Sequence, residues 1–492
     1  MLKKVLIANR AEIAGRIIRG CKKLGVKTVA VHSDVDARLP YVREADEAVY
    51  IGAAPAAKSY LRGDALIDAA LEHGADGIHP GYGFLSENAA FARAVTASGI
   101  TFIGPSADAM DRLGSKTAAK AVAEKAGVPV TPWFKVEGVD KALKQAAEVG
   151  FPVIVKPASG GGGKGMYRCD SADELRERIE RAAREAKASF GDDTLLVEKF
   201  LVNPRHIEVQ ILGDNHGNVI HLFERECSIQ RRNQKLIEES PSVALTPEQR
   251  RTVCDDAVRI AKAAGYSNAG TCEFLYDEAG KRWYFCEMNT RLQVEHPVTE
   301  MVTGVDLVEQ QLRVASGEKL SLKQDSIKQT GHAIEMRIIA EDPFTGFTPS
   351  LGTLEHIEPP TGDGIRNEMG YQSGNEITPH YDSLLSKLIV HGKDRKQAVE
   401  RSLAALDRFH AAGIQTCIPV HRAMLKDEGF LEGRFHIHYA EQRMKDGLCK
   451  REHQESAMLA AAALAFERDE RMQSAGRTHL SAWASSSLPR AK

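Results

Sequence analysis

Between residues 4 and 105, short apolar runs alternate with helical patterns in one repeated order, which fixes the architecture of the N-terminal part of the chain. KVLIA leads into a helix expected over about Glu12 to Leu24, followed by KTVAVHS, AVYIG, GADGIHP and ITFIGP. Strands that read as continuous apolar runs, separated by helices, make a parallel sheet covered on both faces. The turn after the first run is Asn9-Arg10-Ala11-Glu12. It lacks the three glycines of a dinucleotide fingerprint, so this domain is Rossmann-like in layout and need not bind a nucleotide itself.

A chain of 492 residues exceeds one ordinary domain. Ser115 is a good N-cap for a helix from Lys116 to Ala126, which Gly127 stops ahead of Pro129, and a new unit begins there. Between Thr131 and Phe200 come a helix, the strand PVIVKP, a glycine-rich turn, a charged helix from Ser171 to Ser189 and the strand TLLVEKF, a subdomain of about seventy residues. HIEVQILGD and NVIHLFERE read as an antiparallel pair meeting at Asp214-Asn215-His216-Gly217, and GTCEFLYDEAGKRWYFCEMN as a hairpin. From Gly331, the alternation in HAIEMRIIAED, GTLEHIEP and LSKLIVHG, with a final helix from Arg395 to Ala412, gives a mixed β-rich domain. Residues 447 to 492 turn alanine-rich and end in SAWASSSLPRAK, the composition of a solvated or loosely docked helix with a frayed end.

Lys and Arg total 65 against 67 Asp and Glu, so no bulk charge draws the chain to nucleic acid or to a membrane surface. The 8 cysteines form no CxxC pair, which fits a reducing compartment. MLKKVLIANR has too short an apolar run for a signal peptide, and no stretch approaches a membrane span. A cytoplasmic protein acting on small or mobile partners is expected.

In the run Trp283 to Asn289, alternation puts Phe285, Glu287 and Asn289 on one face. With the turn centred on Gly280, Glu273 faces Glu287, and two opposed carboxylates repel unless a cation sits between them. Magnesium or manganese suits such oxygen donors together with substrate phosphates. Two exposed surface glutamates are the alternative; the flanking Cys272, Phe274, Phe285 and Met288 argue for partial burial. Next comes Arg291-Leu-Gln293-Val-Glu295-His296-Pro, where a planar guanidinium fork suits a small carboxylate-like anion and a nearby carboxylate can act as general base. On the residues alone, Arg291 and Glu295 read equally as a structural salt bridge.

Gly160-Gly161-Gly162-Gly163-Lys164-Gly165 fails the Walker A pattern, because Gly165 follows Lys164 where Ser or Thr is required. Its glycines let backbone N–H groups approach phosphate oxygens and let the loop close as a lid; a plain flexible linker is the alternative. Lys156 ends an apolar strand and Lys116 starts a helix, so each can neutralise a polyphosphate or stand as an ordinary surface lysine.

Taken in order, these segments resemble the ATP-grasp superfamily and, within it, biotin carboxylase. ANRAEIAGRIIR, HPGYGFLSEN, GGGGKGM, CSIQRRNQKLIEE and EMNTRLQVEHPVTEM are similar to that family's signature segments in the family's own order, over about residues 1 to 446. The last segment is highly specific; the glycine run is not. The resemblance implies a combined α/β and α+β fold, with a Rossmann-like N-terminal domain over 1–113 and an ATP-grasp core over 114–330 whose mobile lid spans about 131–203. A β-rich C-terminal domain would follow over 331–446, then a variable tail, partly helical or disordered, over 447–492.

The implied activity is an ATP-dependent ligation forming a carbon–nitrogen bond. Bicarbonate would attack ATP to give carboxyphosphate, whose carbon dioxide is transferred to biotin N1. By resemblance, Lys116 and Lys156 would meet the phosphates; Gly161, Gly162, Gly163, Lys164 and Gly165 would form the lid loop; and Glu198, Lys199, Leu201 and His206, with Gln230 and Asn233, would complete the ATP site. Glu273 and Glu287, with Asn289 nearby, would hold two magnesium or manganese ions. Arg291, Gln293 and the Val294 backbone would bind bicarbonate, with Glu295 as its base. Lys235 would lie near the reacting phosphate, Arg337 would stabilise the biotin enolate, and Tyr82 would approach biotin.

Four positions depart from the commonest pattern: Asn233 for His, Ala11 for Gly, Ile339 for Asn, and His380 for Tyr in TPHYD. Asn233 still donates hydrogen bonds but cannot become cationic. A different ATP-grasp ligase would share the lid and paired glutamates but not RLQVEHP. A catalytically silent scaffold or regulatory subunit would be expected to have lost Lys116, Glu273, Glu287, Arg291 or Glu295, and all five are present. Biotin is expected on another chain, since no Met-Lys-Met motif occurs in this sequence and the only Met-Lys is Met444-Lys445. The expected partners are thus a biotin carboxyl carrier protein, a carboxyltransferase and a second copy of this chain in a homodimer. Acetyl-CoA, at the entry to fatty acid biosynthesis, is the default acceptor; pyruvate, other acyl-CoAs and 2-oxo acids stay open.

Overall fold

The computed structural model describes residues 1–158 and 165–449. Gly161, Gly162, Gly163 and Lys164 of the glycine loop, and the tail from residue 450, lie outside the described residues.

The apolar runs of the N-terminal part become β1 (Lys4–Ile7), β2 (Lys27–Ser33), β3 (Glu47–Gly52), β4 (Gly77–His79) and β5 (Thr101–Phe102), all parallel in the order β3-β2-β1-β4-β5. The helix Ala11–Lys23 buries Ile13, Ala14, Ile17, Ile18 and Cys21, one apolar stripe at three- and four-residue spacing. The strand order reverses between β1 and β4, so the loops after both strands open outward side by side, where open α/β sheets form their crevice. The Asn9 amide ties the two loops together by donating to the carbonyls of Pro80 (2.7 Å) and Tyr82 (2.8 Å). Ala11 stands at φ +51°, in the left-handed region that glycine favours and that costs a Cβ-bearing residue about 1 kcal/mol.

A helix at Lys116–Lys125 follows, its first turn capped by Ser115 Oγ, which accepts from Ala118 N at 3.1 Å. Then β6 (Trp133–Lys135), β7 (Val153–Pro157), β8 (Tyr167–Cys169) and β9 (Leu195–Lys199) form an antiparallel sheet in the order β6-β9-β7-β8. It carries its own small core of Val153, Val155, Leu175, Ile179 and Val197 under the helix Ala172–Phe190.

The largest sheet has eight antiparallel strands: β10 (Arg205–Gly213), β11 (Val219–Arg231), β12 (Gln234–Ser240), β13 (Asn268–Asp277), β14 (Arg282–Asn289), β15 (His332–Ile339), β16 (Ile365–Met369) and β17 (Leu384–Gly392). Their order is β14-β13-β10-β11-β12-β15-β17-β16. The sheet runs unbroken across Gly331, because Ile237–Ser240 of β12 pair with Ala333–Met336 of β15. Alternation divides the two faces. Ile207, Val209, Ile211, Cys272 and Phe274 pack on the helix Pro247–Ala264, while Glu208, Gln210, Thr271 and Glu273 point the other way.

Two expectations need correction. Phe285 does not share a face with Glu287 and Asn289: a β-bulge at Cys286 lets Glu273 pair with Glu287 while the next residue, Phe274, pairs with Phe285. Phe285 therefore turns into the core, its ring 5.9 Å from that of Phe274. The helix from Arg395 stops at Asp407 instead of reaching Ala412, because His410–Ala412 form a strand on His356–Glu358, a pairing that overrides the helical preference of the alanines. Three short helices, Ile418–Lys426, Glu428–Leu431 and Tyr439–Lys445, come after it, so it is not the last.

Phe285 is fully buried. Replacing it by alanine leaves a cavity on the apolar face, and Phe285→Ala is expected to cost about 3–5 kcal/mol of stability in urea denaturation.

Candidate active site

The face of the eight-stranded sheet opposite its core carries a row of charge. Glu287, Glu273, Glu208 and Arg225 are direct cross-strand neighbours on β14, β13, β10 and β11, and further along Glu238 opposes Glu335 and Arg337 opposes Lys387. Glu208, Arg225, Glu238, Glu335 and Lys387 are all fully buried. Charges removed from water are tolerable only when paired and hydrogen-bonded, and the geometry meets this demand at one point above all. The Lys235 ammonium lies 2.5 Å from Glu208, 3.0 Å from Glu273 and 2.6 Å from Glu295. Arg225 closes the far side of Glu208 at 2.5 Å and donates to Gln210 and Thr299.

Glu295 stands between two cations, with Lys235 on one oxygen and Arg337 at 2.9 Å from the other. Burial and the nearby Glu208 push its carboxyl up, but Lys235, Arg337 and Arg225 outweigh them and hold it below its ordinary value. Arg337 is shared with Glu238, whose Oε1 accepts from its Nε at 2.6 Å. Burial, with the charge of Glu295, pushes the Glu238 carboxyl above its ordinary value against the pull of Arg337.

Next to this cluster, Asn289 and Gln293 donate to Glu273 at 2.8 and 3.2 Å. Arg291 donates to a Glu87 carboxylate oxygen at 2.9 Å and to the side-chain Oε1 of Gln293 at 2.9 Å. Burial raises the Glu273 carboxyl, yet Lys235 and His206 bring it well below the usual range; Glu287 instead moves up, through burial and the charge of Glu273. The oxygens of Glu273, Glu287 and Asn289 thus form a hard-donor set of the kind a magnesium-sized ion accepts. His206, Glu208 and Glu273 are also close enough together to share an ion, but Lys235 already touches both of these glutamates. His206, 3.4 Å from Glu273, titrates at about 9: burial lowers it, and Glu273 and Glu208 more than restore it.

One cleft of about 1140 Å³ is lined by Lys235, Glu273, Glu287, Glu295 and Arg337, and every described site residue expected from the sequence lines it except Gly165. One end is formed by Lys116, Lys156, Glu198, Lys199, Leu201, His206, Gln230 and Asn233. Gly165 instead faces the ring of Pro157. Glu198, 7% exposed, is clamped between Lys120 at 2.5 Å and Lys156. Burial pushes its carboxyl up, but Lys156 and Lys120 hold it at about 2. The Lys199 ammonium is turned to the carbonyls of Gly150 and Phe151. Arg232 and Asn233 have φ of 50° and 64° and are the two residues between β11 and β12, the pattern of a type I′ hairpin turn, in which Asn is a favoured occupant. Asn233 therefore suits the backbone position it occupies. At the other end Tyr82 donates its hydroxyl to Glu12, with Arg10, Phe84 and His380-Tyr381-Asp382 beside it.

Several partners escaped the sequence reading: Lys120, Glu208, Arg225, Glu238 and Lys387. The available signal was a charged residue inside an otherwise apolar strand, as in HIEVQILGD and LSKLIVHG. Their roles follow from cross-strand neighbours far away in the sequence.

The chain matches the biotin carboxylase N-terminal domain over residues 1–110, the ATP-binding domain of the carbamoyl-phosphate synthase L chain over 115–323 and the biotin carboxylase C-terminal domain over 335–442. It is 50% identical to the biotin carboxylase of Haemophilus influenzae over 447 residues, 90% of this chain and 99% of that one. It is equally 50% identical to the 2-oxoglutarate carboxylase small subunit of Hydrogenobacter thermophilus over 444 residues, 90% of this chain and 94% of that one. The crystal structure of the biotin carboxylase domain dimer of the Hydrogenobacter thermophilus 2-oxoglutarate carboxylase, in complex with MgADP, ADP and bicarbonate, is similar with a TM-score of 0.86. The two are 49% identical, covering 90% of this chain and 98% of that one.

Removing Glu198 alone leaves two buried ammonium groups without their anion. Glu198→Gln is expected to destabilise the fold by about 3–5 kcal/mol at neutral pH. Because the folded-state value, about 2, lies below the ordinary 4.5, the stabilisation is complete above pH 4.5 and is lost as the pH falls toward 2. The difference between parent and variant in urea denaturation should therefore narrow on acidification.

Proposed function

The chain belongs to the biotin carboxylase family of ATP-dependent ligases, and we propose that it carboxylates the biotin of a separate biotin carboxyl carrier protein, using bicarbonate and ATP. The observation that carries this reading is the position of Glu295, a buried carboxylate kept ionised by Lys235 and Arg337 and facing the same cleft as Arg291 and Gln293.

In the proposed mechanism, bicarbonate sits against Arg291, Gln293 and the Val294 backbone. Glu295 takes its proton as a bicarbonate oxygen attacks the γ-phosphorus of ATP; the new P–O bond forms, the β–γ bridge breaks and ADP leaves. The demand on the protein is alignment and charge neutralisation, supplied by Lys116, Lys156 and Lys235, with Glu198, Lys199, Leu201, His206, Gln230 and Asn233 around the nucleotide. Glu273 and Glu287, with Asn289, would hold magnesium or manganese, which offsets polyphosphate charge. Gly161 to Gly165 would cover the phosphates and exclude water from carboxyphosphate. Carboxyphosphate splits into carbon dioxide and phosphate, the phosphate takes the N1 proton of biotin, and N1 attacks the carbon dioxide. Tyr82 would line the biotin site and Arg337 would stabilise the enolate.

The proposed division is 1–113, 114–330 with a lid at 131–203, and 331–446. A homodimer is supported by the domain dimer of the relative. No helix among the described residues is long and apolar enough to cross a membrane, in keeping with a cytoplasmic enzyme. Acetyl-CoA is the proposed final acceptor, reached through a separate carboxyltransferase. A 2-oxo acid acceptor is the second reading, favoured by the equal identity to the 2-oxoglutarate carboxylase small subunit.

The test is bicarbonate-dependent ATP hydrolysis with and without free biotin. Stimulation by biotin is expected, and Glu295→Gln should lower kcat by about 10²- to 10⁴-fold while ADP binding persists. A folded sample that biotin does not stimulate would overturn the reading; the co-purifying carrier and transferase identify the acceptor.

A further inference from the structure

Among the described residues, Lys387 is the most deeply enclosed lysine of the charged cluster, with a side chain 0% exposed. It lies in the middle of β17, directly opposite Arg337 on β15. An ammonium taken out of water at this cost is retained where its hydrogen bonds are specific. The Lys387 Nζ donates to the carbonyl oxygen of Val294 at 2.9 Å and lies 3.1 Å from Glu12 Oε1. That same Glu12 oxygen accepts the hydroxyl proton of Tyr82. The ring of Tyr82 is also within reach of the ammonium, 5.9 Å from its centroid.

Three segments distant in sequence therefore converge on one side chain: the start of the first helix, the loop that carries Val294 and Glu295, and a central strand of the C-terminal part. The Val294 carbonyl belongs to the peptide unit whose nitrogen is that of Glu295, so anchoring it fixes where the Glu295 backbone begins. Glu12 fixes Tyr82 from its hydroxyl end, and Asn9 holds the Tyr82 carbonyl.

We propose that Lys387 is a positioning residue that couples the two halves of the reaction site, holding the bicarbonate-activating loop through the Val294 carbonyl and the biotin-side tyrosine through Glu12. This rests on the reading of Glu295 and Tyr82 given above. A displacement of the loop relative to Tyr82 would misalign base and acceptor together, and misplacement by about 1 Å can cost 10²-fold in rate.

The experiment uses the full chain, with ATP, bicarbonate and free biotin as substrates and ADP as the binding control. Lys387→Met, which keeps an unbranched chain and removes the ammonium, should lower kcat for bicarbonate-dependent ATP hydrolysis and raise KM for biotin, each by about tenfold, with ADP affinity retained. Lys387→Arg should recover most of both. Glu12→Gln, which spares the Val294 contact, should raise KM for biotin and not KM for bicarbonate, as should Tyr82→Phe for biotin. If Lys387→Met shifts ADP affinity and the thermal midpoint as much as the biotin and bicarbonate parameters, the residue is merely structural and the proposal falls. A raised biotin KM in Tyr82→Phe with none in Glu12→Gln overturns the coupling and leaves biotin at Tyr82. An unchanged biotin KM in Tyr82→Phe removes biotin from that position and the coupling with it.

Discussion

Three carboxylates, Glu208, Glu273 and Glu295, converge on the interior face of one sheet, and the cation between them, Lys235, is the condition on which the rest of the site depends. Without it, desolvation and mutual repulsion would each favour protonating the acids, and an un-ionised Glu295 could not act as a base. The same requirement recurs at each end of the cleft. Glu198 is matched by Lys120 and Lys156, and Glu12 by Lys387. The cleft is thus lined by charges whose partners are already in place, so little reorganisation is needed when substrate charge arrives.

Local chemistry made part of this legible. The facing of Glu273 and Glu287, expected from a turn centred on Gly280, is met by a different route: the hairpin closes with Asp277 opposite Arg282, and the bulge at Cys286 moves Glu287 into register with Glu273. The cap at Ser115 and the alternation of apolar runs with helices depend on neighbours within a few residues. Phe285 was misplaced because a bulge changes the count by one, and Cys286 carries no sequence mark that announces it. The end of the helix at Asp407 was missed because the competing strand partner, His356–Glu358, is about fifty residues upstream, so no pattern near Asp407 announces the pairing. Glu208, Glu238 and Lys387 look like solvated positions in their own strands; only the pairing of β10 with β13, β12 with β15 and β15 with β17 brings them inside.

Two of the positions expected to depart from the family pattern have backbone settings of their own. Asn233 sits in a turn whose backbone suits it, at the edge of the cleft. Ala11 takes a left-handed conformation next to Gly370, where a Cβ on that glycine would come within 3.1 Å of the Cβ of Ala11. The methyl group of Ala11 is accommodated because its neighbour has none.

The continuity of the eight-stranded sheet also bears on how the chain is made. A ribosome releases β12 long before β15, since about ninety residues separate them along the chain. During that interval β12 offers a row of unpaired backbone donors and acceptors, which other emerging chains could match as readily as its own later strand. Only the arrival of His332–Ile339 closes that edge. Until then the exposed edge of β12 is a place where a chain still being made can pair wrongly.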